Sequence, residues 1–155
     1  MTQQPPYPAP DFSLLDTAGE PHQFADYAGR WLVLYFYPKD DTPGCTIEAC
    51  SFRDMHEALL AEEAAVVGIS RDESESHTKF QDKHKLNFTL LSDPDHTVMD
   101  AYGAWGKKMF GQEGVLRKTF IIDPTGAVVK VYGRVTPLGH ADQVLAEIVA
   151  RKRAR

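Results

Sequence analysis

Cysteine is scarce in this chain of 155 residues: it has two, Cys45 and Cys50. Two are too few for the disulfide scaffold of a small secreted domain. Without a second pair they also fail to make a structural zinc site, which wants four ligands and cysteines usually two to four residues apart. His56 follows, but one nearby histidine among six does not complete a ligand set, and no metal is expected. Long apolar runs are missing as well. None approaches the ~20 residues that span a bilayer, so no membrane partner is expected. The opening stretch Met1 to Pro10 has neither a basic start nor an apolar h-region, so it is not read as a secretory leader, and the expected location is cytoplasmic. Excess positive charge is lacking too: 17 Lys and Arg stand against 22 Asp and Glu, a net −5, which argues against a nucleic-acid partner. The basic tail Arg151 to Arg155 is read as a solvated end that complements the last turn of a helix.

What is present describes one globular domain, with 43% apolar and 25% charged residues. Residues 1–10, rich in proline, read as an extended arm, and 11–155 as the domain. Asp11 to Asp16 with the turn Thr17 to Glu20 suggests the first half of a hairpin. Trp31 to Tyr37 is apolar at every position rather than at alternate ones, the mark of a central strand covered on both faces, and Pro38 ends it. A helical pattern runs from about Thr42 to about Glu63, with Ile47, Phe52, Met55, Leu59 and Leu60 near one stripe. Thr42 suits the N-cap and Pro43 the first helical position, with Gly44 an alternative start. Ala65 to Ser70 reads as a second buried strand and Glu73 to His84 as a polar helix. Phe88 to Leu91 reads as a short strand and Asp95 to Tyr102 as a short helix. Gly103 to Gly114 reads as a long loop, and Trp105 within it either borders a substrate entry or anchors the loop. Arg117 to Asp123 and Val128 to Tyr132 form a hairpin around Pro124-Thr125-Gly126, and His140 to Lys152 is an amphipathic helix. This α/β order is that of a thioredoxin-like fold: a mixed central sheet flanked by helices, with an N-terminal hairpin extension.

The cysteines sit where strand gives way to helix. Positions five apart in a regular helix have Cα atoms roughly 8.7 Å apart, whereas a disulfide needs less than ~7 Å. A bond between Cys45 and Cys50 therefore requires the first turns of the helix to unwind. Cys45, at the helix start, is the better placed of the two to be held as thiolate. A helix end contributes ~2 kcal/mol at most, so a cation or further donors are needed. Arg117 is the best placed cation if its strand borders Trp31 to Tyr37. The Thr42 hydroxyl is a second candidate, as a donor to the thiolate or to a bound oxygen.

With these residues in hand, the chain resembles the peroxiredoxins, specifically the bacterioferritin-comigratory-protein or PrxQ branch. The pattern Pro-x-x-x-Thr/Ser-x-x-Cys is matched by Pro38, Thr42 and Cys45, set in Tyr35-Phe36-Tyr37-Pro38-Lys39-Asp40-Asp41-Thr42-Pro43-Gly44-Cys45-Thr46. Cys50 matches the branch's intrahelical resolving cysteine, and Gly114 to Phe120 matches the segment carrying its arginine, Arg117. The resemblance spans about Asp11 to Ala150. It implies a thiol peroxidase in which Cys45 is oxidised to a sulfenic acid and Cys50 resolves it as an intramolecular disulfide that a thioredoxin-like protein reduces. It implies a peroxide site made by Pro38, Thr42, Gly44, Cys45 and Arg117, with Pro38 shielding Cys45 from bulk water. Glu48 either orients Arg117 or is a solvated surface acid. No metal, haem or flavin is implied. An intramolecular resolving cysteine makes a partner subunit unnecessary, so a monomer is expected. Two rivals share the cysteines. A thiol–disulfide oxidoreductase would normally carry Cys-x-x-Cys, and a redox sensor would react with peroxide without turnover.

Overall fold

The computed structural model describes residues 4–108 and 111–154. Residues 1–3 of the arm, Met109 and Phe110 of the glycine-rich stretch and Arg155 of the tail lie outside them. Among the described residues, ten strands and four α-helices follow in chain order: β1 (Tyr7–Pro8), β2 (Ser13–Leu15), β3 (Pro21–Gln23), β4 (Trp31–Phe36), α1 (Pro43–Ala61), β5 (Ala64–Ser70), α2 (Ser74–His84), β6 (Thr89–Ser92), α3 (Thr97–Tyr102), β7 (Trp105–Lys107), β8 (Glu113–Val115), β9 (Lys118–Ile122), β10 (Ala127–Tyr132) and α4 (His140–Arg153). Eight strands form one sheet in the order β1-β10-β9-β4-β5-β6-β2-β3. The pairs β4–β5 and β5–β6 are parallel and the rest antiparallel. This is a thioredoxin-like fold, with a mixed sheet flanked by helices.

β4 lies at the centre, and all six of its residues are buried. Period-two geometry divides them. Trp31, Val33 and Tyr35 pack with Cys45, Ala49, Phe52 and Leu59 of α1 and with Ala141, Val144 and Ile148 of α4. Leu32, Leu34 and Phe36 pack on the other face with Val98, Met99 and Tyr102 of α3. A strand covered on both faces has no reason to alternate in polarity, which is why the run is apolar throughout.

Three sequence expectations need correction. The arm is extended but tied down: Tyr7 and Pro8 pair with Val128 and Ala127 at the sheet edge. The stretch 103–114 is more than a loop, since β7 and β8 form a two-stranded sheet in which Gly106 faces Gly114. Trp105 in β7 is a stacking anchor, with its ring 3.9 Å from that of His96 and parallel to it, and the Arg71 guanidinium 5.1 Å from its centre. On α1 the buried stripe runs through Cys45, Glu48, Ala49, Phe52 and Leu59, whereas Ile47 and Leu60 are exposed. An apolar pattern alone misplaced it, because an acid occupies one of the inward positions.

The far half of α1 is fastened to α4. Phe52 is fully buried, and the Ala141 amide donates to Ser51 Oγ at 3.1 Å. Among the described residues no helix is long and apolar enough to cross a membrane.

Candidate active site

The site is built where β4 ends. Tyr37 continues the strand by donating its amide to the Ile69 carbonyl, and half-buried Pro38 follows and cannot donate. The chain turns through Lys39 to Asp41, whose φ is +56°, and α1 starts with Thr42 at the N-cap position and Pro43 first in the helix. β9 pairs antiparallel to β4, with Lys118 opposite Phe36, which brings Arg117 to the same end of the sheet as the start of α1.

Cys45, in the first turn, is 2% exposed. Arg117 Nη2 donates to its Sγ at 3.2 Å, and Nη1 of the same guanidinium donates to Glu48 Oε1 at 2.7 Å. One planar fork thus spans both groups, a geometry that a single ammonium does not match. Burial works against the arginine's charge, but Glu48 and Cys45 beside it outweigh burial and hold its proton more tightly than usual. Gly44 makes the approach feasible: a Cβ there would lie 3.2 Å from Arg117 Nη2 and 3.8 Å from the Pro137 ring, so a side chain would press the guanidinium away from the thiol.

Thr42 is arranged otherwise than as a cap or a thiolate donor. Its hydroxyl donates to the Lys39 carbonyl at 2.8 Å and makes no bond to the helix amides, while its own carbonyl accepts the Thr46 amide at 2.8 Å. With its proton committed to Lys39, the Thr42 oxygen is left to accept.

Glu48 is buried rather than solvated, at 0% exposure, and its second oxygen, Oε2, has no hydrogen-bond partner. Burial pushes its carboxyl up to about 7 against the pull of Arg117. Tyr35 Oη is also buried without a partner. Burial raises its phenol well above the ordinary value, with Glu48 and then Cys45 adding to it. The Tyr35 ring stacks on Phe52 at 4.7 Å and fits only because residue 68 is glycine, where a Cβ would come 2.8 Å from it.

The Glu48 carboxyl binds its proton more tightly folded than unfolded. Its contribution to stability is therefore complete below pH 4.5 and is lost as pH rises through about 7. The reduced protein should lose on the order of 3 kcal/mol across that window from this group alone. Urea midpoints of wild type and Glu48→Gln at pH 4.5 to 8 measure it: the wild-type curve should fall relative to the variant's, and parallel curves would refute the assignment.

Cys50 lies in the same helix, half-buried, and both thiols are free. Its side of α1 opens on an exterior groove of about 500 Å³, flanked by exposed Ile47 and Leu138. The structure therefore brings Cys45, Glu48 and Arg117 into contact, sets Thr42 one turn away and holds Cys50 apart within intact helix. Tyr35 and Pro137 also border the site and escape sequence reading. Tyr35 stands in the motif's flank but its place depends on partners distant in the chain, and no local signal marks Pro137. Among the described residues no cluster of three or more His, Cys, Asp or Glu could hold a metal ion.

Known proteins resemble this chain over most of its length. Residues 6–131 match the family model described as AhpC/TSA family. Peroxiredoxin Bcp of Bacillus subtilis is 46% identical over 140 residues, covering 88% of this chain and 89% of that protein. Peroxiredoxin Bcp of Escherichia coli K12 is 43% identical, covering 88% and 90%. Among solved structures, the bacterioferritin comigratory protein of Xanthomonas campestris, characterised for its alkyl peroxide reduction activity, is 38% identical with a TM-score of 0.86, covering 90% and 91%. With a family model over most of its length, these relatives and a buried thiol under an arginine fork, the chain belongs to the AhpC/TSA family, as a thiol peroxidase of the Bcp/PrxQ peroxiredoxin branch.

Proposed function

We propose that this chain reduces hydrogen peroxide and organic hydroperoxides by a two-cysteine cycle within one subunit. The observation that carries the reading is the Arg117 guanidinium, 3.2 Å from a buried Cys45 sulfur and fixed on its far side by Glu48. The Cys45 thiolate attacks one peroxide oxygen, the O–O bond breaks, and the alkoxide or hydroxide leaves with a proton as alcohol or water. Sulfur, now a sulfenic acid, has been oxidised by two electrons. Arg117 offsets charge developing along the breaking bond, the Thr42 oxygen accepts from the peroxide hydroxyl, the amides that begin α1 add further donors beside Gly44, and Pro38 keeps bulk water from Cys45.

The Cys50 sulfur then displaces hydroxide from the sulfenic acid, releasing water and leaving the disulfide. This step requires α1 to open between the two residues. A thioredoxin-like dithiol reduces the bond by exchange and takes up the oxidation. The exposed groove beside Cys50 gives such a thiol a line of approach. All the redox chemistry resides in the two sulfurs, and the active unit is a monomer.

Steady-state peroxide consumption with thioredoxin and its reductase tests the cycle. Wild type should turn over repeatedly. Cys50→Ser should complete one round of Cys45 oxidation and then stall with thioredoxin while still consuming one equivalent of peroxide. Undiminished thioredoxin-dependent turnover in Cys50→Ser would overturn the resolving role.

A further inference from the structure

A second polar assembly lies beside the site, centred on a buried histidine. His77 of α2 is 0% exposed. Its Nδ1 is 2.7 Å from Asp40 Oδ2 and its Nε2 is 3.0 Å from the Leu91 carbonyl of β6. A carbonyl can only accept, so Nε2 carries a proton, and a second proton lies between Nδ1 and the Asp40 carboxylate. Asp40, 7% exposed, also accepts from Tyr37 Oη at 2.6 Å and from Ser76 Oγ at 2.8 Å. Its own amide donates to Asp72 Oδ2 at 2.8 Å, and Ser70 Oγ donates to that same oxygen.

One planar unit links this assembly to the peroxide site. The amide that Asp72 holds and the carbonyl that accepts the Thr42 hydroxyl are the two ends of a single peptide group, Lys39–Asp40. Because a peptide is rigid, fixing its N–H and the adjoining Asp40 side chain fixes where its C=O points. The next residue, Asp41, stands at φ +56°, a conformation that costs a non-glycine residue free energy and persists only where the surroundings impose it. Lys83 and His84 of α2 grip the Asp41 carboxylate at 2.7 and 3.0 Å, so α2 holds this turn at two consecutive residues.

We propose that His77 is a positioning residue for the peroxide reaction: through Asp40 it sets the Lys39–Asp40 peptide, and that peptide commits the Thr42 hydroxyl to act as an acceptor facing the substrate. The inference rests on the peroxidase reading. It assigns the effect to one ring nitrogen. Nδ1 carries the link to Asp40, whereas Nε2 only ties α2 to β6.

That asymmetry supplies the test. An asparagine amide nitrogen reaches the place of Nδ1 and a glutamine nitrogen the place of Nε2, and each variant loses one of the two bonds. His77→Asn should keep the second-order rate of Cys45 oxidation by hydrogen peroxide within about threefold of wild type, and His77→Gln should lower it about tenfold or more, with similar melting temperatures. In a Thr42→Val background, where no hydroxyl remains to be aimed, the gap between the two variants should close. Equal rates for His77→Asn and His77→Gln, or a gap that survives Thr42→Val, would overturn the assignment. If the His77 variants do not fold, Asp72→Ala releases the same peptide from its N–H end. It should slow the same step, and an unchanged rate would sink the proposal. A wild type that fails to react with peroxide would strike the peroxidase reading instead.

Discussion

A Cys45→Ser chain is expected to show no fast reaction with any peroxide. A serine hydroxyl stays protonated where a thiol ionises, and oxygen lacks the soft sulfur lone pair that attacks an O–O bond. Everything else would remain: the Arg117 fork, the accepting Thr42 oxygen and the packing of α1. Loss of a nucleophile from an otherwise intact site costs about 10⁴-fold or more. Stopped-flow tryptophan fluorescence after mixing with hydrogen peroxide and an alkyl hydroperoxide reads the step directly. A fast phase surviving in Cys45→Ser would refute the central role given to that sulfur, and a phase lost equally in Cys50→Ser would reassign the attack.

Arg117→Met should lower the second-order rate of Cys45 oxidation by about 10² to 10³, the scale on which a fixed charge-stabilising donor acts in a transition state. Methionine keeps an unbranched apolar stem and removes the charged guanidinium. Two effects combine, since the sulfur loses its 3.2 Å donor and Glu48, with no exposure, loses the guanidinium that donates to its Oε1. A buried carboxyl left alone takes up a proton or costs stability. Adding Glu48→Gln to Arg117→Met should therefore restore thermal stability without restoring rate. Arg117→Lys should recover little, because one ammonium cannot reach Cys45 and Glu48 together. Recovery of rate in the double variant would mean that Arg117 serves the fold and not the chemistry.

How far these residues could be read in advance depends on how local their physics is. β4 was legible as a strand buried on both faces, because seven apolar residues in a row leave little else. The Cys45–Cys50 geometry was legible because helix pitch is a constant. The contact of Arg117 with Cys45 needed a guess about strand order, and the pairing of Phe36 with Lys118 supplies it. Glu48 could not be resolved from its helical position alone, since an acid on a helix is ordinarily solvated and only tertiary packing buries it. The direction of the Thr42 hydroxyl was misread because capping is a local habit, whereas its acceptor, the Lys39 carbonyl, is aimed by residues more than thirty positions away. His77 and Asp40, 37 positions apart in the chain, offered no spacing to notice.

The fastening of α1 to α4 at Ser51 and Phe52 bears on how quickly the enzyme can recover. In the proposed cycle, opening that starts at Pro43 meets a packed, tethered turn just past Cys50, so roughly two turns are loosened each time. When the disulfide is reduced, that stretch regrows on the end of an existing helix. Nucleation, the slow part of making a helix, is never repeated, and elongation proceeds in nanoseconds per residue. Refolding of the site is then invisible in turnover, and the pace of the cycle passes to its bimolecular encounters, with peroxide at one end and with the reductant at the other.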